Sequence, residues 1–415
     1  MTLISLLLVL MVIKLTAYLF LEWVNIKYLN ENAADLPDSL KGIMDEATFN
    51  KSVEYTQAKT QFMVINALYD AVILGLILVL GILPFIYERL SAFLGDGIFS
   101  QALVFIISMF IISLPTLPFS WWSAFKLEEA FGFNKSTIGL WVSDQVKGFA
   151  LSIILGVPLI AGLIWIVNQM GDFWWVWAFV FFWLFQVIML VLYPMFILPL
   201  FNKLEPLGAG ELKDRLLALG DRCGFKSKTI YVMDGSKRSG HSNAFFTGFG
   251  KFRRIVLYDT LIEQMETEEL EAVLAHEIGH YKCGHIPKRL CFSAFSTFLL
   301  FALVGWLMQA TWIFDALSFA PEIANTFIPA FLIISLFGSL FTFWFSPIDS
   351  LWSRKQEYEA DAFAREAMDG PNSLKQALRK LYKENLSNLI PHPFYSAFYY
   401  SHPTLVEREY SLMNE

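Results

Sequence analysis

Charge is the first thing this chain has little of. Asp, Glu, Lys and Arg make up 17% of its 415 residues against 56% hydrophobic, and the mean hydropathy is +0.50. That balance excludes a soluble globular protein and a disordered one, and leaves an integral membrane protein. Cysteine is nearly missing as well: Cys223, Cys283 and Cys291 are too few and too scattered for a disulfide framework, which fits a functional part facing a reducing compartment. There is no basic excess. The formal net charge is −7, so no nucleic acid is expected among the partners. Histidine is the last scarcity, with 6 in the chain, so a pair at ligand spacing carries weight.

What is plentiful is apolar sequence in long runs. Seven of them, at 3–23, 63–86, 101–121, 148–168, 173–200, 290–313 and 325–348, are each long enough to cross a bilayer core. The first does not read as a cleavable signal peptide, because no basic residue precedes it and no small-residue cleavage site follows. Lys27, Lys41, Lys51 and Lys59 lie between runs one and two, and Lys126, Lys135 and Lys147 between three and four, whereas the opposite loops hold only Arg89. Positive residues mark the cytoplasmic side, so the N-terminus is expected outside and the polar segments 201–289 and 349–415 inside.

Within the first polar segment stands LEAVLAHEIGHYKCGH, with His276, Glu277 and His280 in the spacing His-Glu-x-x-His. Four residues turn a helix by about 400°, so both histidines project from one face and can hold one metal ion. Glu277, one residue round, is set beside the ion's open position as a general base. A chance match to this pattern is expected on the order of once in a hundred such chains. Thr267 is a candidate N-cap, with Glu268, Glu269 and Glu271 in the first turn and Leu270, Val273 and Leu274 forming an apolar stripe.

Catalytic zinc takes three protein ligands, so one is missing. A third histidine ten residues after the first would serve, but that position is Ile286. His285 falls about half a turn away on a continuing helix and is expected to point away from the metal, as a supporting or helix-end residue. Cys283 is a softer candidate. Downstream, Glu357 and Asp361 lie four apart in SRKQEYEADAFAREA, where Glu357 can ligate and Asp361 can hold a ligand histidine. Taken alone, the segment reads equally well as a solvated acidic helix face.

The segment 201–289 has the pattern of a small α+β insert: an amphipathic helix at 210–223, a strand at 229–234, and a hairpin from 242–250 and 253–258. Asn243, Ala244 and Phe245 lie on a strand that either holds an extended peptide by its main chain or merely covers the catalytic helix. His402, ahead of Pro403, is either a helix-entry residue or a donor to a developing oxyanion, with Arg408 two turns on. Lys14 and Asp70 lie about 12 to 13 Å deep in the first two spans, and are expected to face a cavity between helices or to pair with each other.

Several stretches together resemble the type I CAAX prenyl protease family of integral-membrane zinc metalloproteases. They are residues 117–148, IYVMDGSKRSGHSNAFFTGFG, RRIVLYDTLI, HEIGHYKCGH, EYEADAFA and YYSHPTLVER, in family order over most of the chain. The resemblance implies a mainly α, polytopic fold. Seven transmembrane helices form a barrel around a chamber, and a small α+β zinc-protease domain sits on the cytoplasmic side. On this reading residues 1–200 hold spans one to five, 201–289 the protease insert, 290–348 spans six and seven, and 349–415 the rest of the protease domain. The resemblance further implies one zinc ion on His276, His280 and Glu357, Glu277 as base, His402 as transition-state donor, and Asp361 and Arg408 in support. It places Asn243 on the substrate-binding strand and implies a peptide substrate, prenylated at its C-terminus or drawn more broadly from membrane proteins. Glu359 stands where the family pattern leads one to expect glutamine, a departure expected to be silent. A multi-span transporter with a regulatory metal site is the alternative. The terminus SLMNE lacks a lysine-based retrieval signal, which tilts the expected membrane toward a bacterial inner one rather than the endoplasmic reticulum.

Overall fold

The computed structural model describes residues 2–33, 42–225, 229–247, 254–321 and 326–414. Helix dominates, and seven helical segments are long and apolar enough to cross a membrane: Leu3–Asn32, Glu46–Val79, Ile98–Phe131, Ile138–Gln169, Gly171–Phe201, His285–Gln309 and Phe327–Ala367. Each contains or overlaps one of the seven apolar runs. The boundaries differ most in the second. Helix α2 (Glu46–Val79) stops short of the expected end because Gly81 adopts φ 63°, a left-handed conformation cheap only for glycine, and the chain restarts as α3 (Ile82–Leu94).

The first two helices outrun their apolar stretches. Two turns before the end of helix α1 (Leu3–Asn32), Asn25 accepts the His392 N–H at 3.0 Å. The polar start of α2 buries Phe49 in the core of the extramembrane domain, while Tyr55 donates at 2.8 Å to Glu128 near the end of the third span. Both membrane helices are thereby tied to the polar domain.

That domain is built on a four-stranded sheet of order β1-β2-β4-β3, comprising β1 (Leu204–Pro206), β2 (Ile230–Met233), β3 (Ala244–Thr247) and β4 (Arg254–Tyr258). β2 and β4 are parallel, the other pairs antiparallel, and β3 is an edge. The β3–β4 pair is the expected hairpin; its turn, 248–253, lies outside the described residues. Helices α4 (Glu211–Arg222), α5 (Thr267–Lys282), α7 (Ser346–Ala367) and α8 (Asn372–Glu384) pack around a shared core that includes Leu216, Leu261, Leu270, Ala275, Ile278 and Leu378. Between α5 and α7 the chain crosses the membrane twice, beginning with α6 (His285–Gln309). Helix α7 runs unbroken across residue 348, where the composition turns from apolar to charged.

Lys14 and Asp70 line one cavity of about 540 Å³ between α1, α2 and residues 339–343. They do not form a direct ion pair. Lys14 Nζ donates to Ser339 Oγ at 3.2 Å, and Asp70 accepts from Asn66 Nδ2 at 3.0 Å.

Candidate metal centre

Helix α5 begins one residue before the sequence suggests. Glu266, not Thr267, is the N-cap, and it forms a capping box with Glu269. Lys380 reaches Glu269 at 2.7 Å and anchors α8 to the same turn. The buried stripe Leu270, Val273 and Leu274 then seats α5 in the core. At Gly279 the helix touches α7 so closely that a Cβ would lie 3.0 Å from the Cα and carbonyl oxygen of Ala360. A glycine opposite an alanine allows this approach, and it brings Glu357 over the two histidines.

Three side chains from the two helices converge. His276 Nε2 lies 3.2 Å from His280 Nε2 and 3.3 Å from Glu357 Oε2, and His280 Nε2 lies 3.4 Å from Glu357 Oε1. Tetrahedral donors at zinc–nitrogen and zinc–oxygen bond lengths stand about 3.4 Å apart, so the spacing fits that ion. Two further observations agree. Glu357 Oε2 is buried without a hydrogen-bond partner, an orphan that a central cation satisfies. Burial drives the His276 pKa down, yet the Asp361 and Glu357 carboxylates outweigh it and lift it to about 9, so the pocket stabilises positive charge.

The two histidines are held differently. His276 Nδ1 donates to Asp361 Oδ1 at 2.8 Å, and Asp361 is clamped by Arg408 through Nε at 2.8 Å and Nη2 at 2.5 Å. Arg408 comes from α9 (Leu405–Asn414), at the far end of the chain. His280 Nδ1 faces His285 Nδ1 at 2.8 Å, and His285 Nε2 faces Glu359 Oε2 at 2.9 Å. If His280 Nε2 is the ligand atom, its Nδ1 carries the proton and donates. His285 Nδ1 must then accept, and its Nε2–H donates to Glu359.

Two expectations are corrected here. Helix α5 does not continue through residue 285: it ends at Lys282, and Gly284, at φ 69°, turns the chain so that His285 opens α6 against His280. Glu359, expected to be silent, completes this second chain of hydrogen bonds. It does point away from the Glu357 and Asp361 face, but the turn at Gly284 brings His285 round to meet it.

Glu277 is partly buried and has no hydrogen-bond partner among the described residues. Burial pushes its carboxyl pKa up, which favours proton uptake, while His276 and His280 pull the other way. His402 Nε2 stands 3.5 Å from Glu357 Oε1 on a side chain 62% exposed, with Nδ1 3.0 Å from Ser401 Oγ. On β3 the Tyr258 N–H donates to the Asn243 carbonyl, so Asn243 and Phe245 turn their main-chain groups toward β4. The groups on the open edge belong to Ala244 and Phe246, and the Ala244 N–H is met by Asn243 Oδ1 at 2.8 Å.

Two histidines on one helix and a carboxylate from a second that together could hold a metal ion, a glutamate beside them and a sheet edge alongside, all carried on seven membrane helices, fit a membrane-embedded metallopeptidase. Residues 25–203 match the N-terminal, five-membrane-helix model of CAAX prenyl proteases, and residues 206–415 match peptidase family M48. The chain belongs to that peptidase family, in its CAAX prenyl protease group. It is 36% identical to CAAX prenyl protease 1 of Saccharomyces cerevisiae, across 92% of this chain and 89% of that one. It is 37% identical to the Arabidopsis thaliana homolog, across 94% and 93%, and 32% to the human homolog, across 90% and 87%. The crystal structure of S. mikatae Ste24p superposes with a TM-score of 0.90 at 34% identity, covering 99% of this chain and 98% of that one. Nothing here supports the transporter alternative.

Proposed function

We propose that this metallopeptidase is a one-zinc endopeptidase that removes C-terminal residues from prenylated proteins, with His276, His280 and Glu357 as the ligands. The mutual spacing of those three donors, 3.2 to 3.4 Å, is the observation that carries the reading. When bound, the ion supplies Lewis acidity toward the scissile carbonyl and the attacking water. Glu277 takes the proton from that water and returns it to the leaving amine. His402 donates from Nε2 to the carbonyl oxygen as negative charge builds there. Asp361, fixed by Arg408, and His285, fixed by Glu359, set the tautomers of the two ligand histidines. An extended substrate adds to the β3 edge through the outward groups of Ala244 and Phe246, and Asn243 releases the Ala244 N–H as it arrives.

The lysine asymmetry supports a cytoplasmic catalytic domain with the N-terminus outside. The named relatives come from eukaryotes, so the expectation of a bacterial membrane gains no support from them.

Cleavage of a prenylated CAAX peptide and its unprenylated twin by the purified, zinc-assayed protein tests the substrate. Faster turnover of the prenylated peptide is expected. Equal rates would point to the broader reading, cleavage of membrane-protein segments regardless of lipidation.

A further inference from the structure

Beside the catalytic cluster lies a second group of donors, two of which, His285 and Glu359, support His280 in the proposed function, while the third, Cys283, has no part in it. Cys283 Sγ, a ring nitrogen of His285 and a carboxylate oxygen of Glu359 all fall within 4.8 Å of one another. The turn through Gly284 places the first two on either side of the α5–α6 junction, and α7 supplies the third. His285 is buried, whereas Cys283 and Glu359 are half-buried, so the cluster has a closed floor and an approach from solvent. A thiolate, an imidazole nitrogen and a carboxylate make up the donor set of zinc or cadmium, with a fourth position left for solvent.

We propose that Cys283, His285 and Glu359 form a second, inhibitory site for a thiophilic divalent cation. Its occupation is coupled to the catalytic centre through one proton, a step that rests on His280 being a catalytic ligand. In the resting arrangement His285 Nδ1 accepts from His280 Nδ1–H at 2.8 Å, and His285 Nε2–H donates to Glu359 at 2.9 Å. A cation on Nε2 takes the lone pair where that proton sat. The neutral ring then carries its proton on Nδ1, so two N–H groups oppose each other across the former hydrogen bond. His280 loses the acceptor that fixed its ring, and the thiol proton of Cys283 leaves to solvent. Lys288 at 3.8 Å and Lys355 at 4.0 Å from Glu359 compete with the cation, so the second site is weaker than the first and fills only when the metal is in excess.

The test uses the full-length, zinc-loaded protein in detergent, titrated with cadmium while the ultraviolet thiolate-to-cadmium band and peptide hydrolysis are followed together. One equivalent of band per chain is expected, saturating in step with loss of activity. Cys283→Ser should keep the native basal rate, lose the band and move the inhibitory concentration up at least tenfold. Glu359→Gln, which still accepts from His285, should weaken band and inhibition alike and stands in if the serine variant misfolds. A band that survives Cys283→Ser belongs to Cys223 or Cys291 and overturns the site, as does inhibition of that variant at the native concentration. A Cys283-dependent band without inhibition overturns the coupling. The zinc content of His276→Ala judges the catalytic ligands separately: if zinc stays, the proposed function fails while the cadmium band still reports the second site.

Discussion

Arg408 offers the sharpest perturbation, because it supports stability and metal binding by separable routes. Its side chain is 7% exposed and that of Asp361 1%, and two hydrogen bonds join them. Arg408→Met keeps most of the stem's volume but strands a buried carboxylate whose remaining partner is His276 Nδ1 at 2.8 Å. Removing one member of a buried pair costs about 3 to 5 kcal/mol, whereas replacing both by apolar groups costs little or stabilises. Adding Asp361→Leu should therefore recover most of the loss. Zinc affinity should respond the other way. The single variant keeps the Asp361–His276 hydrogen bond and should lose less than tenfold, while the double variant removes the group that orients His276 and should lose about 10- to 100-fold. Melting midpoints are compared in excess chelator, so that bound metal does not contribute to stability, and affinity is read by chelator competition. A single variant as stable as the native protein, a double variant less stable than the single, or affinity that merely follows stability would each refute the reasoning.

Gly279→Ala should push α5 from α7 at Ala360. Overpacking of about 1 to 3 kcal/mol is offset by about 1 kcal/mol of helix propensity, so a small drop in melting midpoint with a larger loss of zinc affinity is expected, and an unchanged affinity would mean that the close approach does not position Glu357. Glu277→Ala should abolish peptide cleavage with zinc retained, which metal analysis of the inactive protein checks, whereas Glu357→Ala should strip the ion. His285→Ala should lower zinc affinity through His280 by about 10- to 100-fold, and Cys283→Ser should leave the catalytic ion in place; the reverse pattern would move the third ligand to Cys283.

How much of this was legible in the sequence follows from the range of the interactions involved. The seven spans rest on local composition, and each apolar run finds its helix. Their ends do not: α2 stops where Gly81 turns left-handed, and its polar first half joins the core of the polar domain through Phe49. The positions of His276, Glu277 and His280 are fixed by helical spacing alone. That Glu357 closes the cluster required packing, a glycine facing an alanine across two helices 81 positions apart in the chain (360 − 279). The His285–Glu359 link was hidden because its placement depends on a single residue. Carried through 285, an unbroken helix puts that imidazole on the far side; one left-handed glycine at 284 puts it against His280. A Lys-Cys-Gly-His string just past a helical pattern was the available signal, since glycine there marks a helix end.

The same two helices explain why the site belongs in a membrane protein rather than merely beside one. Glu357 and Asp361 ride on α7, which continues the helical run that begins at Phe327 inside the seventh span. His276 and His280 ride on α5, which passes through the Gly284 turn directly into the sixth. Two of the three proposed ligands thus hang from one membrane helix and the third from the next, with no long loop at either junction. The distance from Glu357 to the two histidines is therefore tied to the packing of α5 against α7, the helices that lead into spans six and seven.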